Sequence, residues 1–379
     1  MKKYLFTPGP APVPPEVLLE MARPIIHHRT PEFSAALDSA RERMKPLYGT
    51  ASEVILLSAT GTGAMEAAVI NLLQPGEHAI FVNGGKFGER WGKLIAAHGG
   101  IATEVKVEWG RSVRPEQVDD ALRTNPAVRV VFVQASETST GALHPIAEIG
   151  QVTRRRGVML VVDGITSVGV FEQKMDEWGV DALVTGSQKA LMLPPGLAMI
   201  ALSEQALARA RESRAAHYYF NLIRELEAQR DEHTTAYTPA VALVFGLNKA
   251  LELIHAETLP RVFARQRLMA EATRAAAPAL GLRILPDNPA PGVTAMVTPE
   301  GIDSGKVVRY MRDELGISIQ GGQDQMTGRL LRIGHMGYLT AFDMLTAVSA
   351  LELALAELGH HFEPGAGVVA VQTRITQGI

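Results

Sequence analysis

A chain of 379 residues with 46% hydrophobic and 20% charged residues has the usage of an ordinary folded protein, which excludes a disordered or collagen-like chain. Lys and Arg number 37 against 40 Asp and Glu, a net charge of −3, so there is no basic field to hold a nucleic acid backbone. The sequence contains no cysteine. Disulfides, thiolate zinc sites, iron–sulfur clusters and a cysteine nucleophile are thereby ruled out.

The N-terminus, Met1-Lys2-Lys3-Tyr4-Leu5-Phe6-Thr7-Pro8-Gly9-Pro10, carries two lysines but meets Pro8 before any apolar stretch of signal-peptide length. No uninterrupted apolar run reaches transmembrane length. A cytoplasmic protein with no membrane partner is expected.

From residue 54 onward, short apolar runs alternate with longer amphipathic ones. Val54-Ile55-Leu56-Leu57 precedes a helical stretch from Ala64 to Leu73, and Ala79-Ile80-Phe81-Val82 precedes another over 87–98. Further strands are predicted at 102–107, 128–133, 158–162, 182–184 and 197–202, with helices over 115–123 and 145–156 between them. Strands joined by crossover helices imply an α/β fold built on a mostly parallel, seven-stranded sheet covered on both faces. Ligands bind at the carboxyl ends of such strands.

From 204 to 279 the pattern is mostly helical, broken at Thr238-Pro239 and Leu259-Pro260. Pro286-Asp287-Asn288-Pro289-Ala290-Pro291-Gly292 marks a loop. Strands near 293–298 and 329–333 and helices near 304–315 and 340–358 then describe a smaller α+β unit. The expected organisation is an N-terminal segment over 1–20, a large domain over 21–260 and a small C-terminal domain over 261–379. No fixed-period repeat interrupts it, and the Pro-rich Thr7–Pro15 is the one low-complexity piece.

Four groups stand out, three at strand or helix ends and one inside a strand. Lys189, in Gly186-Ser187-Gln188-Lys189, has small and apolar neighbours. Lost solvation would lower its pKa and free the amine for a Schiff base, whereas a lone lysine more often sits solvated at the surface. Asp163 ends the run Val158-Met159-Leu160-Val161-Val162; it could cap the next element or hold the ring nitrogen of pyridoxal phosphate protonated. Thr60-Gly61-Thr62-Gly63-Ala64 opens a helix directly after the first strand, where free N–H groups and the helix dipole can seat a phosphate or simply begin a helix. It is neither a full dinucleotide fingerprint, since Glu66 replaces the third glycine, nor a P-loop. Arg332, inside Leu330-Leu331-Arg332-Ile333-Gly334, needs an anion, either a structural partner or a substrate carboxylate. His27-His28-Arg29 and His360-His361 lack metal-ligand spacing, so no metal is expected.

In this chain order the constellation resembles the class V aminotransferases, fold-type I pyridoxal phosphate enzymes, and within them the alanine–glyoxylate and serine–glyoxylate (serine–pyruvate) branch. The resemblance runs from Thr7-Pro8-Gly9-Pro10 to Leu331-Arg332-Ile333-Gly334, and includes Glu137-Thr138-Ser139-Thr140-Gly141. It implies Lys189 as Schiff-base lysine and proton shuttle, with Asp163 as pyridinium partner. Gly61, Thr62 and Gly63 would cradle the phosphate with Gln188 nearby. Ser139, or as second choice Thr138, would bond the ring's phenolic oxygen, and Phe87 would stack on the ring where the branch often has tryptophan. Arg332 would bind the α-carboxylate, with Gly9 also at the substrate. Thr235, Tyr237 and Thr238 match a segment that reaches the phosphate of a neighbouring subunit, implying a homodimer.

The expected reaction moves an amino group from alanine or serine to glyoxylate or pyruvate, with aspartate or an aminophosphonate as alternative donor and Arg29 as the candidate second cation. A lyase or racemase shares these residues. A cysteine desulfurase would lack its sulfur-accepting cysteine. A dinucleotide-dependent oxidoreductase would leave Lys189 and Arg332 unexplained, and a non-catalytic subunit would not need all of these positions.

Overall fold

A computed structural model of the chain describes residues 2–215 and 217–378. A two-residue strand, β1 (Tyr4–Leu5), and two helices, α1 (Pro15–Met21) and α2 (Pro31–Tyr48), come first. Then follow β2 (Val54–Leu57), α3 (Gly61–Leu72), β3 (His78–Asn83), α4 (Lys86–Ala97), β4 (Ile101–Lys106), α5 (Pro115–Thr124) and β5 (Val128–Gln134). A small hairpin, β6 (Ser136–Glu137) and β7 (Ala142–Leu143), leads to α6 (Ile146–Arg156), β8 (Met159–Asp163), α7 (Met175–Trp178), β9 (Ala182–Gly186) and β10 (Ala198–Leu202).

Four helices follow, α8 (Glu204–Arg211), α9 (Leu222–Asp231), α10 (Val241–Glu257) and α11 (Leu259–Ala279). The remainder is β11 (Arg283–Ile284), β12 (Val293–Val297), α12 (Ser304–Asp313), β13 (Ile317–Ser318), β14 (Gln320–Gly321), β15 (Leu330–Gly334), α13 (Ala341–Glu357) and α14 (Ala366–Gly378).

The large sheet has the order β2-β10-β9-β8-β5-β3-β4, and only β10 runs antiparallel to its neighbours. Alternate residues of the buried strands feed two separate cores. Val54, Leu56, Ile80, Val82, Val131, Val133, Leu160 and Val162 enter one; Ile55, Leu57, Ala79, Phe81, Val130, Phe132 and Val161 enter the other. This is why these strands read as continuous apolar runs: both faces lie under helices, and each buried aliphatic side chain contributes about 1.5–3 kcal/mol.

Helix α2, not anticipated from the sequence, supplies Phe33, Leu37, Ala40, Met44 and Leu47 to the first core at helical spacing. Thr30 caps its start, and Gly49 ends it in the left-handed region at φ 62°. The expected 204–279 helical region is broken between α8 and α9, over 232–240 where Thr238-Pro239 falls, and at Thr258 just before Leu259-Pro260. A third core joins Phe6 to residues between Met269 and Ile375, and there β11, β12, β15 and β14 form a four-stranded antiparallel sheet. The N-terminal strand β1 pairs parallel with β13.

Sheet register decides where the chemistry lies. Gln134 pairs with Asp163 and Asp163 with Val184, so β5, β8 and β9 end at one edge. The loop carrying Lys189 and the start of α3 leave from that same edge.

Candidate active site

One cleft at this edge is lined by Thr60, Gly61, Thr62, Phe87, Arg90, Thr138, Asp163, Ile165, Thr166, Gln188 and Lys189. Asp163 is 5% exposed. Its Oδ1 accepts from Ile165 N at 2.8 Å, while Oδ2 has no partner within the described chain. Burial pushes its carboxyl up to about 6, against the opposing pull of Arg90 and Lys189. Lys189 Nζ donates to the Pro8 carbonyl at 2.7 Å. Burial brings its ammonium down to about 8, with Asp163 working the other way.

Helix α3 starts without a side-chain cap, and the N–H groups of Gly61, Thr62 and Gly63 have no acceptor among the described residues. Three free donors at the positive end of a helix make an anion seat. A Cβ on Gly61 would lie 2.5 Å from Ile165 Cδ1, so a larger residue there requires the Ile165 side chain to move. The Gln188 amide beside it is also unpartnered, its Oε1 buried. A free carboxylate oxygen, an uncapped helix start, an uncommitted amide and an amine of lowered pKa fit the pyridine nitrogen, phosphate and aldehyde of pyridoxal phosphate.

Two side chains differ from expectation. Ser139 does not line the cleft; its Oγ donates to Glu137 Oε1 at 2.5 Å and accepts from Lys86 N. Thr138 lines it instead, its hydroxyl paired with that of Thr166 at 2.8 Å. Both residues lie in the turn between β6 and β7, and the bonds of Ser139 to Glu137 and Lys86 hold its hydroxyl away from the cleft. Gly63 lies in the first turn of α3 against Ala59 and Phe220, outside the lining.

Arg90, given no role from the sequence, stands in the cleft. Its Nη1 donates to Thr62 Oγ1 at 3.0 Å and its guanidinium lies 5.0 Å from the Phe87 ring centre. The placement of Arg90 three residues after Phe87 on one helix face was the available signal. Arg29 is exposed and absent from the lining.

Arg332 sits behind Thr138, with Nη1 donating to Thr138 O at 3.0 Å and Nε and Nη2 to Gly321 O. Two of its five N–H groups stay uncommitted. Burial lowers its pKa to about 10, opposed by Glu137. Gly9 is packed directly against Lys189 Nζ. Thr235, Tyr237 and Thr238 line a separate small pocket with Ser58, Tyr219 and Glu225.

Beneath the cleft, the fully buried Glu137 carboxylate gathers five donors: Phe87 N (3.3 Å), Gly88 N (2.8 Å), Ser139 N (3.1 Å), Ser139 Oγ and Gln134 Nε2 (3.0 Å). It fastens the start of α4 to the β6 hairpin and so fixes Phe87 relative to Thr138. Burial raises its pKa, and these donors hold it back.

The class-V aminotransferase family model matches residues 3–340. A relative from a Synechococcus species called soluble hydrogenase, small subunit, is 39% identical over 97% of each chain. L-aspartate–glyoxylate aminotransferase of Paracoccus denitrificans is 36% identical over 98% of this chain and 96% of its own. The crystal structure of ureidoglycine–glyoxylate aminotransferase from Bacillus subtilis is similar at a TM-score of 0.95 and 27% identity, covering 99% of this chain and 98% of the other.

Proposed function

The chain belongs to the class V aminotransferases, pyridoxal phosphate-dependent transaminases, and from that premise we propose that it moves an amino group from a small L-amino acid, alanine or serine, to glyoxylate or pyruvate. The observation that carries this reading is the meeting of Lys189, Asp163 and the uncapped α3 start in one cleft. Glyoxylate as acceptor is supported by two similar proteins whose names include it. With no cysteine in the chain, a thiolate-held metal cluster has no ligands here, so the hydrogenase name of the Synechococcus relative is not carried over.

Pyridoxal phosphate, when bound, supplies the electron sink that makes an amino acid's Cα proton removable. In the proposed arrangement Gly61, Thr62 and Gly63 present their N–H groups to its phosphate, with Gln188 alongside. Asp163 Oδ2 would hold the ring nitrogen, Phe87 would stack on the ring, and Thr138, which lines the cleft where Ser139 does not, would bond the phenolic oxygen. Lys189 accepts the Cα proton and gives it back, its lowered pKa keeping part of the amine neutral at pH 7–8. The two uncommitted N–H groups of Arg332 serve the α-carboxylate.

A second reading, aspartate as donor, is favoured by the Paracoccus relative's name and by Arg90 as a further guanidinium in the cleft. A panel of alanine, serine and aspartate against glyoxylate, pyruvate and 2-oxoglutarate separates the two. Alanine or serine with glyoxylate is expected to give the highest kcat/KM; an aspartate rate clearly above both would replace the small-donor reading and leave transamination intact.

The proposal includes a homodimer in which Thr235, Tyr237 and Thr238 serve the neighbouring site. In their own chain they sit apart from the cleft, beside Tyr218, which is 73% exposed. Sedimentation of the loaded enzyme is expected to show a dimer that sheds cofactor on dilution. A monomer with full cofactor occupancy would end this part. The cysteine-free sequence fits a reducing, cytoplasmic setting, which cell fractionation tests.

A further inference from the structure

Lys189 is met by a part of the chain 181 residues away. Residues 4–11 run as a ribbon stitched on both sides. Toward the small sheet, Tyr4 N donates to Gly316 O (2.9 Å), Phe6 N to Ser318 O (2.8 Å), and Gly334 N to Phe6 O (2.8 Å). Gly334 closes β15 two residues after Arg332. Toward the large sheet, Ala11 N donates to Gln188 O (2.9 Å), and Lys189 Nζ to Pro8 O (2.7 Å).

Between these stitches Thr7 Oγ1 closes a turn by donating to Pro10 O at 2.8 Å, with Thr7 itself 6% exposed. The turn leaves no spare room. Gly9 has φ 124°, and a Cβ there would overlap Lys189 Nζ; one on Gly334 would overlap the Thr7 carbonyl.

We propose that the Pro8 carbonyl oxygen is the acceptor that holds the ε-amine of Lys189 whenever that amine is free, and that the ribbon carrying it positions the amine relative to Arg332. This rests on the aminotransferase reading above and adds to it a group from outside the sheet edge. A carbonyl can only accept. An amine that gives one N–H to Pro8 O turns its lone pair away from Pro8, to the cleft side where a base is needed. As an ammonium it keeps two further N–H groups for delivery.

Three charged side chains act on Lys189 from the packed elements. Asp163 of β8 favours the ammonium, while Arg332 of β15 and Arg90 of α4 disfavour it. Pro8 O sides with Asp163, since a hydrogen bond to the charged form favours that form. Losing it lets the proton leave at lower pH. The ribbon's stitches to β13 and β15 tie the same amine to the strand of Arg332, so loosening the ribbon misplaces base and carboxylate site together.

The test uses the full chain freed of cofactor. Cyanate carbamylates neutral amines, and peptide mapping of Lys189 across pH gives its titration midpoint. Wild type is expected near 8. Gly9→Ala, which obstructs the contact, is expected to lower the midpoint by about one unit, a tenfold change in the amine's proton affinity. Thr7→Val, which removes only the turn bond, should shift it the same way by less and guards against a Gly9→Ala chain that does not fold.

After loading, both variants should lose kcat, about 10- to 100-fold for Gly9→Ala, with a smaller change in the KM of the amino acid. Folded variants whose Lys189 midpoint and kcat match wild type would overturn the proposal. A wild-type chain that takes up no pyridoxal phosphate would instead overturn the functional reading, and the cyanate titration would still stand.

Discussion

Replacing Lys189 with alanine will lower transamination by about 10⁴-fold or more, the upper range for a positioned acid–base group. Lys189 is the only lysine among the residues lining the cleft, and no second amine can take over its two tasks. In wild type, borohydride reduction of the loaded enzyme followed by peptide mapping should place the cofactor on Lys189. In Lys189→Ala, a small external amine should restore part of the rate, more as pH rises, because only the neutral amine acts as base. Label on another lysine, or turnover within tenfold of wild type, would overturn the assignment.

Asp163→Asn is expected to trade activity for stability. Transamination should fall by about 10³-fold, since an amide cannot hold a ring nitrogen in its charged form. Burial raises the folded-state pKa of Asp163 from 3.8 to about 6. The folded chain therefore binds the extra proton between those values, and its stability is full below pH 4 and falls as pH rises through 6. Above that, the ionised carboxylate costs the cofactor-free protein up to about 2–3 kcal/mol. Asparagine removes that cost while still accepting from Ile165 N. Urea unfolding of the cofactor-free chains should thus show the variant more stable than wild type at pH 7, with the difference shrinking toward pH 4. A variant equally active, or less stable at pH 7, would contradict this account of the carboxylate.

Most of the large sheet was legible because burial on both faces leaves mainly apolar residues between turn signals, although the edge strand β4, Ile101–Lys106, is largely exposed. β2, β8, β9 and β10 are buried at every position. Two-residue strands such as β1, β13 and β14 have no period to read and emerged only from pairing. Helix α2 carries Phe33, Leu37, Ala40, Met44 and Leu47 at helical spacing, but it precedes the strand–helix alternation that starts at residue 54 and has no strand beside it in sequence to mark it.

At the site, sequence position brought Asp163 and Lys189 to one edge, since Asp163 ends β8 and Lys189 follows the neighbouring β9. Side-chain direction was not readable: Thr138 and Ser139 are adjacent, and only hydrogen bonding to Glu137 turns Ser139 away. In sequence Arg90 is indistinguishable from any charged residue on a helix surface; folding alone sets Thr62 and Phe87 beside it.

The Glu137 carboxylate grips the main-chain amides of Phe87 and Gly88 and leaves the Phe87 side chain alone. The ring at the cleft can therefore be exchanged in evolution or in a library without disturbing the scaffold that presents it. Two residues earlier the opposite holds. A methyl on Gly85 would overlap Ser139 Oγ and lie 2.6 Å from the Glu137 carboxyl carbon, so any larger residue there must push apart the bonded Glu137–Ser139 pair, while Phe87 stays open to exchange. Variation along residues 85–88 thus has a built-in grammar, in which the surface facing the substrate can drift and the knot beneath it cannot.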